Sequence, residues 1–151
     1  MSQRTFCVFL LLGLAAAAGC SAVEEMATGP KDVAAQVNTP LHVSMKQEFE
    51  IEVRIQNTGT KSQKLISIDV GDAYLKGVAI QRTEPAFKQS MHIPIVNMQS
   101  YEFEQTIPAG GEMVVKFLAV AVKVGDFAAD VNICVNSEAT CQIHPIRAVV
   151  E

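Results

Sequence analysis

Two cysteines near the end of the chain, Cys134 and Cys141, have the type and spacing that a disulfide requires. Cys134 lies in a run of alternating apolar and polar residues that begins at Phe127, and Cys141 begins another strand-like run. If Val135 pairs with Thr140 across a hairpin loop of four residues, the two cysteines fall directly opposite each other. Directly paired residues have Cα atoms about 4.5–5.5 Å apart, which a disulfide can bridge. The sequence therefore predicts a Cys134–Cys141 disulfide.

The same segment offers an alternative chemistry, in which Cys141 and His144 would hold copper. The Cys-x-x-His spacing resembles the ligand loop of cupredoxins, which are also β-sandwiches. A blue-copper site uses two histidines, one cysteine and a weak axial methionine, and His92 lies 52 residues (144 − 92) before His144. Residues 146–148 contain no methionine, and a disulfide to Cys134 would occupy Cys141. We expect no metal and no cofactor, with copper on His92, Cys141 and His144 as the alternative.

The N-terminal segment has the three parts of a secretory signal. Arg4 gives a positive start, residues 6–18 are apolar, and small residues lead to Cys20. The apolar stretch has about 13 residues, whereas a membrane-spanning helix needs roughly 20. A cysteine directly after small residues resembles the signal of bacterial lipoproteins, in which that cysteine receives lipid and becomes the new N-terminus. Ala17 stands where that family usually has leucine.

The lipoprotein resemblance implies a signal peptide over residues 1–19 and lipid on Cys20. Two or more acyl chains hold a protein stably at a membrane. Residues 20–40 mix small, charged and turn-forming residues and predict a flexible tether, in which residues 34–37 could add a short strand. Ser21 follows the cysteine in place of the aspartate that retains such proteins in some inner membranes. The resemblance therefore implies anchoring in the outer membrane, facing the periplasm.

Alternation of apolar and polar residues predicts strands through most of residues 41–151. The clearest runs are 48–55, 113–121 and 127–135, whose period of two is typical of strands with one buried face. Residues 83–99 contain two prolines and are less regular. About seven or eight short strands with turns at this spacing indicate one all-β domain of two packed antiparallel sheets.

Three turns resemble those of the immunoglobulin-like β-sandwiches common in bacterial exported proteins. They are Asn57-Thr58-Gly59, Ile107-Pro108-Ala109-Gly110-Gly111 and Gly125-Asp126-Phe127. The resemblance covers residues 41–151 and implies an immunoglobulin-like fold. Phe127 stands where such folds usually place a tyrosine, so the hydroxyl bond of a tyrosine corner is absent.

Charge excludes some partners. Without residues 1–19, the chain has 11 basic residues (12 less Arg4) against 16 acidic ones, a net charge of −5. Such a surface is a poor partner for nucleic acid. Carboxylates on predicted strands could form a calcium-binding face, but calcium loops usually gather carboxylates on turns, so we interpret these residues as a solvated surface. They are Glu48, Glu50, Glu52, Glu102 and Glu104.

One predicted strand is apolar on both faces. Met113, Val115 and Phe117 lie on one face, and the other carries a second apolar set. Such a strand is covered on both sides, switches sheets, or contacts a partner. The second set, a possible contact face, consists of Val114, Leu118, Val120 and Val122.

Taken together, these features predict an envelope-anchored lipoprotein that acts as a non-catalytic binding or accessory module. Serines and three histidines are present, but without a Gly-x-Ser-x-Gly turn or a similar local context, so we do not expect an enzyme. The expected partners are the membrane, through the lipid, and an envelope protein, peptide or glycan.

Overall fold

The computed structural model describes residues 29–151, of which 65% form strands and 3% form helix. The predicted signal peptide and Cys20 lie outside these residues. Between residues 29 and 151, no helix is long and apolar enough to cross a membrane. The described elements are β1 (Val33–Asn38), β2 (His42–Val43), β3 (Glu48–Asn57), β4 (Gln63–Gly71), α1 (Asp72–Leu75), β5 (Val78–Glu84), β6 (Gln89–Ile93), β7 (Met98–Ile107), β8 (Glu112–Ala121), β9 (Gly125–Val135) and β10 (Cys141–Val150).

The strands form two sheets packed face to face, which confirms the predicted immunoglobulin-like β-sandwich. The four-stranded sheet has the order β1-β3-β8-β5, and the six-stranded sheet has the order β2-β10-β9-β4-β7-β6. Neighbouring strands are antiparallel except β2, which pairs with β10 in parallel through two residues. The structure describes ten strands, more than the predicted seven or eight, because β1, β2 and β6 are short.

Alternation along each strand decides which side chains form the core between the sheets. On β3, Phe49, Ile51, Val53 and Ile55 are buried, while the glutamates between them face outward. Aromatic rings connect the two sheets: Phe117 of β8 meets Tyr101 and Phe103 of β7 edge to face, with ring centroids 5.3 and 6.3 Å apart. Burial raises the pKa of Tyr101 to about 12.

The N-terminal boundary of the folded domain differs from the prediction. Strand β1, within the expected tether, pairs with β3 along its whole length, from Val33 opposite Asn57 to Asn38 opposite Glu52. Val33 is buried, and its carbonyl accepts a hydrogen bond from Gln142 Nε2 at 2.6 Å. The domain therefore begins before residue 41. Small residues in β1 gave only a weak alternation, which is why the sequence assigned most of this segment to the tether.

The irregular segment 83–99 also contains ordered strands. Strand β6 and the start of β7 form an antiparallel hairpin whose loop is residues 94–97. Both prolines lie outside the ladder, Pro85 after β5 and Pro94 in the loop, because proline has no backbone N–H to donate. This hairpin adds two strands beside β4 and places its loop near the outer face of the six-stranded sheet.

Candidate functional site

The disulfide is present as the sequence predicted. Cys134 of β9 and Cys141 of β10 are bonded, with Cα atoms 4.0 Å apart, and they lie directly opposite each other in the ladder. Val135 donates its backbone N–H to the carbonyl of Thr140, which closes the expected hairpin. The disulfide lies on the outer face of the six-stranded sheet, because Ile133 and Val135 on either side of Cys134 point to the core.

The alternative copper ligands are not brought together. Cys141 is bonded to Cys134, so it has no thiolate for a metal. His144 stands an odd number of positions from Cys141 and therefore lies on the opposite face of β10. His92 lies on β6, with β9, β4 and β7 between it and β10, and its Nε2 is 2.7 Å from Asp72 Oδ2. Within residues 29–151, no set of three His, Cys, Asp or Glu side chains is placed to hold a metal.

The acidic strand residues divide between the two sheets. Glu48, Glu50 and Glu52 lie on β3 of the four-stranded sheet, whereas Glu102 and Glu104 lie on β7 of the six-stranded sheet. Several have partners, among them Glu50 with Lys116 at 3.1 Å and Glu102 with Gln89 at 2.6 Å. Hydrogen bonding by Lys88 and the nearby Lys64 lower the pKa of Glu104. These carboxylates do not converge on one calcium site.

The possible contact face of β8 is the centre of the outer surface of the four-stranded sheet. Val114, Leu118 and Val120 are half-buried between β3 and β5, and Val122 lies just beyond the strand with 44% of its surface exposed. Strand β8 stays in one sheet, and among residues 29–151 no further layer covers this face. Of the alternatives for β8, a switch between sheets is therefore wrong, and a partner contact at this half-buried face stays a prediction.

Charged side chains on that surface are arranged in pairs. Arg54 bonds to Glu112 at 2.7 Å and to Glu52 at 3.1 Å, and Lys116 bonds to Glu50. The hydrogen bond that Lys116 donates to Glu50 raises the pKa of Lys116. Exposed pairs of this kind contribute little to stability, because water and salt screen them, but they place both of these basic side chains beside carboxylates.

The outer face of the six-stranded sheet is different, because register brings polar residues together at its centre. Asp69 of β4 lies opposite Asn132 of β9 on one side and Ser100 of β7 on the other. The same row continues to Ile143 of β10 and Met91 of β6, so a polar centre has an apolar residue at each end. Alternation with the core residues of each strand places all five on the outer face.

Two adjoining cavities of about 310 and 360 Å³ open on this face, and they share Val96, Met98 and Asn132 in their walls. We call the two cavities together the acidic groove. Exposed apolar side chains stand at its edge: Met91, Val96 and Ile143 are 49%, 55% and 65% exposed. The other lining residues used below are Ser67, Asp69, Asp72, Ser100, Glu102, Asp130, Glu138 and Cys141.

Asp69, in the wall of the smaller cavity, is a buried carboxylate that has one hydrogen-bond donor among residues 29–151. Its side chain accepts a hydrogen bond from Ser100 Oγ to Oδ1 at 2.6 Å, and only 9% of Asp69 is exposed. Its other oxygen, Oδ2, is 3.7 Å from Cys134 Sγ. A disulfide sulfur has no hydrogen, so this is a van der Waals contact. Leaving a buried acceptor unsatisfied costs about 1–3 kcal/mol, and more when it is charged.

The charge of the groove has one sign. Its lining includes five carboxylates and no lysine or arginine. Walls of a single charge raise the local concentration of ions of the opposite charge. The groove can therefore attract a cation and accept hydrogen bonds from it at Asp69.

Sequence reasoning missed this groove. In a strand whose apolar residues are Ile66, Ile68 and Val70, Ser67 and Asp69 take the alternate positions, and polar residues at such positions are usually solvated. Asp69 is buried because the β6–β7 hairpin lies beside β4, and that hairpin was not predicted. The available signal was the alternation of Met98 and Ser100 with Tyr101 and Phe103, which extends β7 backward.

The chain matches no protein-family profile and no curated protein. Among solved structures, it is similar to part of the α-2-macroglobulin of E. coli, with 16% identity over 80% of this chain and 7% of that chain, at a TM-score of 0.53. The cupredoxin domain of amoB from Nitrosocaldus yellowstonii has a TM-score of 0.44 and 16% identity, over 69% of this chain and 56% of that chain. A Pyrococcus furiosus CARDB domain in complex with di-metal ions has a TM-score of 0.46 and 15% identity, over 80% of this chain and 88% of that chain. At these identities the likeness concerns the β-sandwich fold alone.

Proposed function

We propose that this chain is an envelope-anchored lipoprotein whose sandwich binds a partner through the acidic groove without catalysing a reaction. The observation that carries the binding role is Asp69, a buried carboxylate that opens into a cavity and has only one donor. Structural carboxylates at such depth are normally hydrogen-bonded on both oxygens. A ligand that donates a hydrogen bond to the second oxygen of Asp69 would stabilise this otherwise unfavourable arrangement.

The N-terminal end of the described chain supports an anchor close to the groove. A Cβ atom at Gly29 would lie 2.6 Å from Cγ of Gln142 and 3.4 Å from the carbonyl oxygen of Cys141, so the described residues begin beside the first residues of β10. Nine residues, 20–28, separate this point from the end of the signal peptide. Nine residues span at most about 30 Å. Lipid on Cys20 would therefore hold the disulfide end of the groove near the membrane.

The lining of the groove favours binding over catalysis. Covalent catalysis needs a nucleophile, a base and a group that orients the base. Ser100 donates to Asp69, but it is only 5% exposed, and no histidine lies in the lining of either cavity. We infer a non-catalytic module whose partner in the envelope is a protein, a peptide or a glycan.

The anchor is tested by replacing Cys20 with alanine in the full chain. We expect mass spectrometry of the wild-type protein to find a lipid-modified N-terminal Cys20, and we expect C20A to leave the membrane fraction. The Ser21→Ala variant is the matched control and should remain with the membrane. An unmodified mature terminus, or C20A that stays membrane-bound, would contradict the lipoprotein assignment.

The binding face is tested with photo-cross-linking amino acids at two exposed aliphatic positions on opposite sheets. Ile143 stands at the edge of the groove, and Val122 lies at the end of the β8 face. We expect one specific cross-linked species in native envelopes from the Ile143 position and none from Val122. Cross-linking from Val122 alone would move the contact surface to the four-stranded sheet and contradict the role of the groove.

A further inference from the structure

The acidic groove contains one buried carboxylate oxygen, Asp69 Oδ2, that lies against the disulfide instead of a hydrogen-bond donor. We propose that this oxygen binds an alkylammonium group whose carbon chain lies along the apolar walls of the groove. The inference rests on the proposed binding function and names the chemical class of its ligand. An ammonium N–H supplies the donor that Cys134 Sγ lacks.

Because one oxygen of Asp69 already accepts a hydrogen bond, the carboxylate suits an ammonium better than a guanidinium. A guanidinium binds carboxylates best through two parallel hydrogen bonds, one to each oxygen. In Asp69, Oδ1 already accepts from Ser100 Oγ at 2.6 Å, so one oxygen remains. An ammonium is a compact charge with three donors. Ser67 and Asn132, in the same lining, offer further oxygen acceptors, since the Asn132 amide donates its N–H to Met98 Sδ at 3.3 Å.

A metal ion fits the groove less well. Calcium takes about six to eight oxygen ligands, usually with several carboxylates among them. Among the described lining residues of the groove, Asp69 is the one buried carboxylate. Glu102 is only half-buried and is bonded to Gln89, and Glu138 is exposed on the hairpin loop. Among residues 29–151, no three His, Cys, Asp or Glu side chains are placed as a ligand set. A single organic charge matches a single buried carboxylate.

The walls beside Asp69 suit a short carbon chain. Met91, Ile93, Val96 and Met98 line the cavity of about 310 Å³, which is at the lower end of the sizes of ligand pockets. Methionine side chains adapt their shape to an apolar neighbour. A free amine and a lysine side chain of a partner present the same group to this cavity, and the experiment distinguishes them.

The test titrates two probes into the full chain in detergent micelles and follows backbone amides by NMR. The probes are n-butylammonium chloride, for a free amine, and N-acetyl-lysine N-methylamide, for a lysine side chain. We expect both to shift the amides of Asp69, Ser100 and Asn132. Asp69→Asn should weaken both at least about tenfold, and Glu48→Gln, which removes a carboxylate from the opposite sheet, should bind within about twofold of wild type.

Neutral probes of similar length, binding to the wild-type chain, keep the test independent of how well the variant folds. We expect n-butanol and N-acetyl-norleucine N-methylamide to bind the wild-type chain about tenfold more weakly than their charged counterparts. Equal binding of charged and neutral probes, or unchanged binding in Asp69→Asn, overturns the proposal. So does calcium chloride that shifts the same amides at lower concentration than the amines.

The relative affinities of the two charged probes identify the source of the ammonium group. Tighter binding of the lysine derivative assigns the group to a partner's side chain, and tighter binding of n-butylammonium assigns it to a free amine; both results support the proposal. Failure of both probes overturns it but leaves the membrane anchor and the Ile143 cross-link standing. The two proposals can therefore fail separately.

Discussion

The two outer faces of the sandwich both consist of strands with alternating apolar and polar residues, yet the charged side chains on them are arranged differently. On the four-stranded sheet, Lys116 and Arg54 are bonded to neighbouring glutamates, and the half-buried aliphatic residues of β8 lie between these pairs. On the six-stranded sheet, the carboxylates of the acidic groove have no lysine or arginine among the lining residues. On the first face each of these basic side chains lies beside carboxylates, whereas the described lining of the acidic groove has five carboxylates and no basic side chain beside them.

The difference shows which kind of apolar residue marks a contact site. Val114, Leu118 and Val120 drew attention in the sequence because they interrupt the polar side of a strand, but all three are half-buried. Ile143 and Met91 are isolated in the sequence, yet both are largely exposed at the ends of the row that has Asp69 at its centre. An exposed apolar edge around a buried charge is the arrangement typical of a ligand pocket.

The largest effect should come from removing the disulfide, which joins β9 to β10 beside the groove. A bond across a sequence separation of seven residues is worth about 2–3 kcal/mol in the chain-entropy model. We expect the double variant Cys134→Ala/Cys141→Ala to lose this amount in its free energy of unfolding, measured by urea denaturation. Wild type under reducing conditions should show the same loss. Equal stability of oxidised wild type and the double variant would mean that the hairpin holds its register without the bond.

A smaller effect, of opposite sign, is expected at Asp69. Asp69→Asn keeps the shape of the side chain and an oxygen for Ser100, but removes the buried charge on Oδ2. We expect the free energy of unfolding to rise by about 1 kcal/mol at pH 7, because an unsatisfied buried acceptor is expensive. A binding residue that lowers stability is a common compromise between function and stability.

The matched control for Asp69→Asn is Glu48→Gln, which removes an exposed carboxylate from β3 on the other face. Its free energy of unfolding should stay within about 0.5 kcal/mol of wild type, as is usual for surface substitutions. If Asp69→Asn is instead destabilised by urea denaturation, Asp69 is a structural residue and the contrast between the two faces disappears.

Much of the fold followed from local alternation. The register of β9 with β10 was predicted to the residue, because the hairpin loop length and the two cysteines fixed it together. Strands with strong alternation, such as β3 and β8, have the predicted core faces. Strand β1 was predicted only weakly, since its alanines carry little apolar signal, and β6 was missed among prolines.

The groove could not be read from the sequence, because it depends on which strands become neighbours. Asp69, Ser100 and Asn132 come from three strands that are distant in the chain, and nothing local indicates that they share a row. By contrast, the odd spacing of Cys141 and His144 on one strand is enough to place them on opposite faces. The sequence analysis used the missing methionine and the disulfide against copper instead, and only tertiary pairing could reveal the groove.

Charged substitution at Leu118 tests whether the four-stranded face is a solvated surface. Leu118 lies opposite Glu50 on β3 and Arg82 on β5 and is half-buried. We expect both Leu118→Lys and Leu118→Glu to fold, with melting transitions close to wild type. The two variants should differ in stability by less than about 1 kcal/mol, because Glu50 on one side and Arg82 on the other act on an introduced charge with opposite sign. Loss of folded protein in both variants would show that the face is part of the core packing.

The smallest expected effect concerns the ion pair between Lys116 and Glu50 on the same face. The hydrogen bond that Lys116 donates to Glu50 raises the pKa of Lys116 above its ordinary 10.5. A raised pKa means that the pair's contribution to stability is complete below pH 10.5 and is lost as the pH rises through the folded-state pKa. We therefore expect the melting-temperature difference between wild type and Lys116→Gln to be constant from about pH 7 to about pH 9 and to shrink above pH 10.5.

The alkaline behaviour of the core does not obscure this difference. Tyr101, whose pKa burial raises to about 12, is present in both proteins, so its ionisation cancels when their melting temperatures are subtracted. Because the pair is exposed, added salt should also reduce the difference at about pH 7. A difference that survives at alkaline pH and at high salt would show that Lys116 acts through the packing of its carbon chain against Val114 and Leu118. In that case apolar packing, and not ion pairing, would stabilise the four-stranded face. Ion pairing would then no longer be the property that distinguishes this face from the acidic groove.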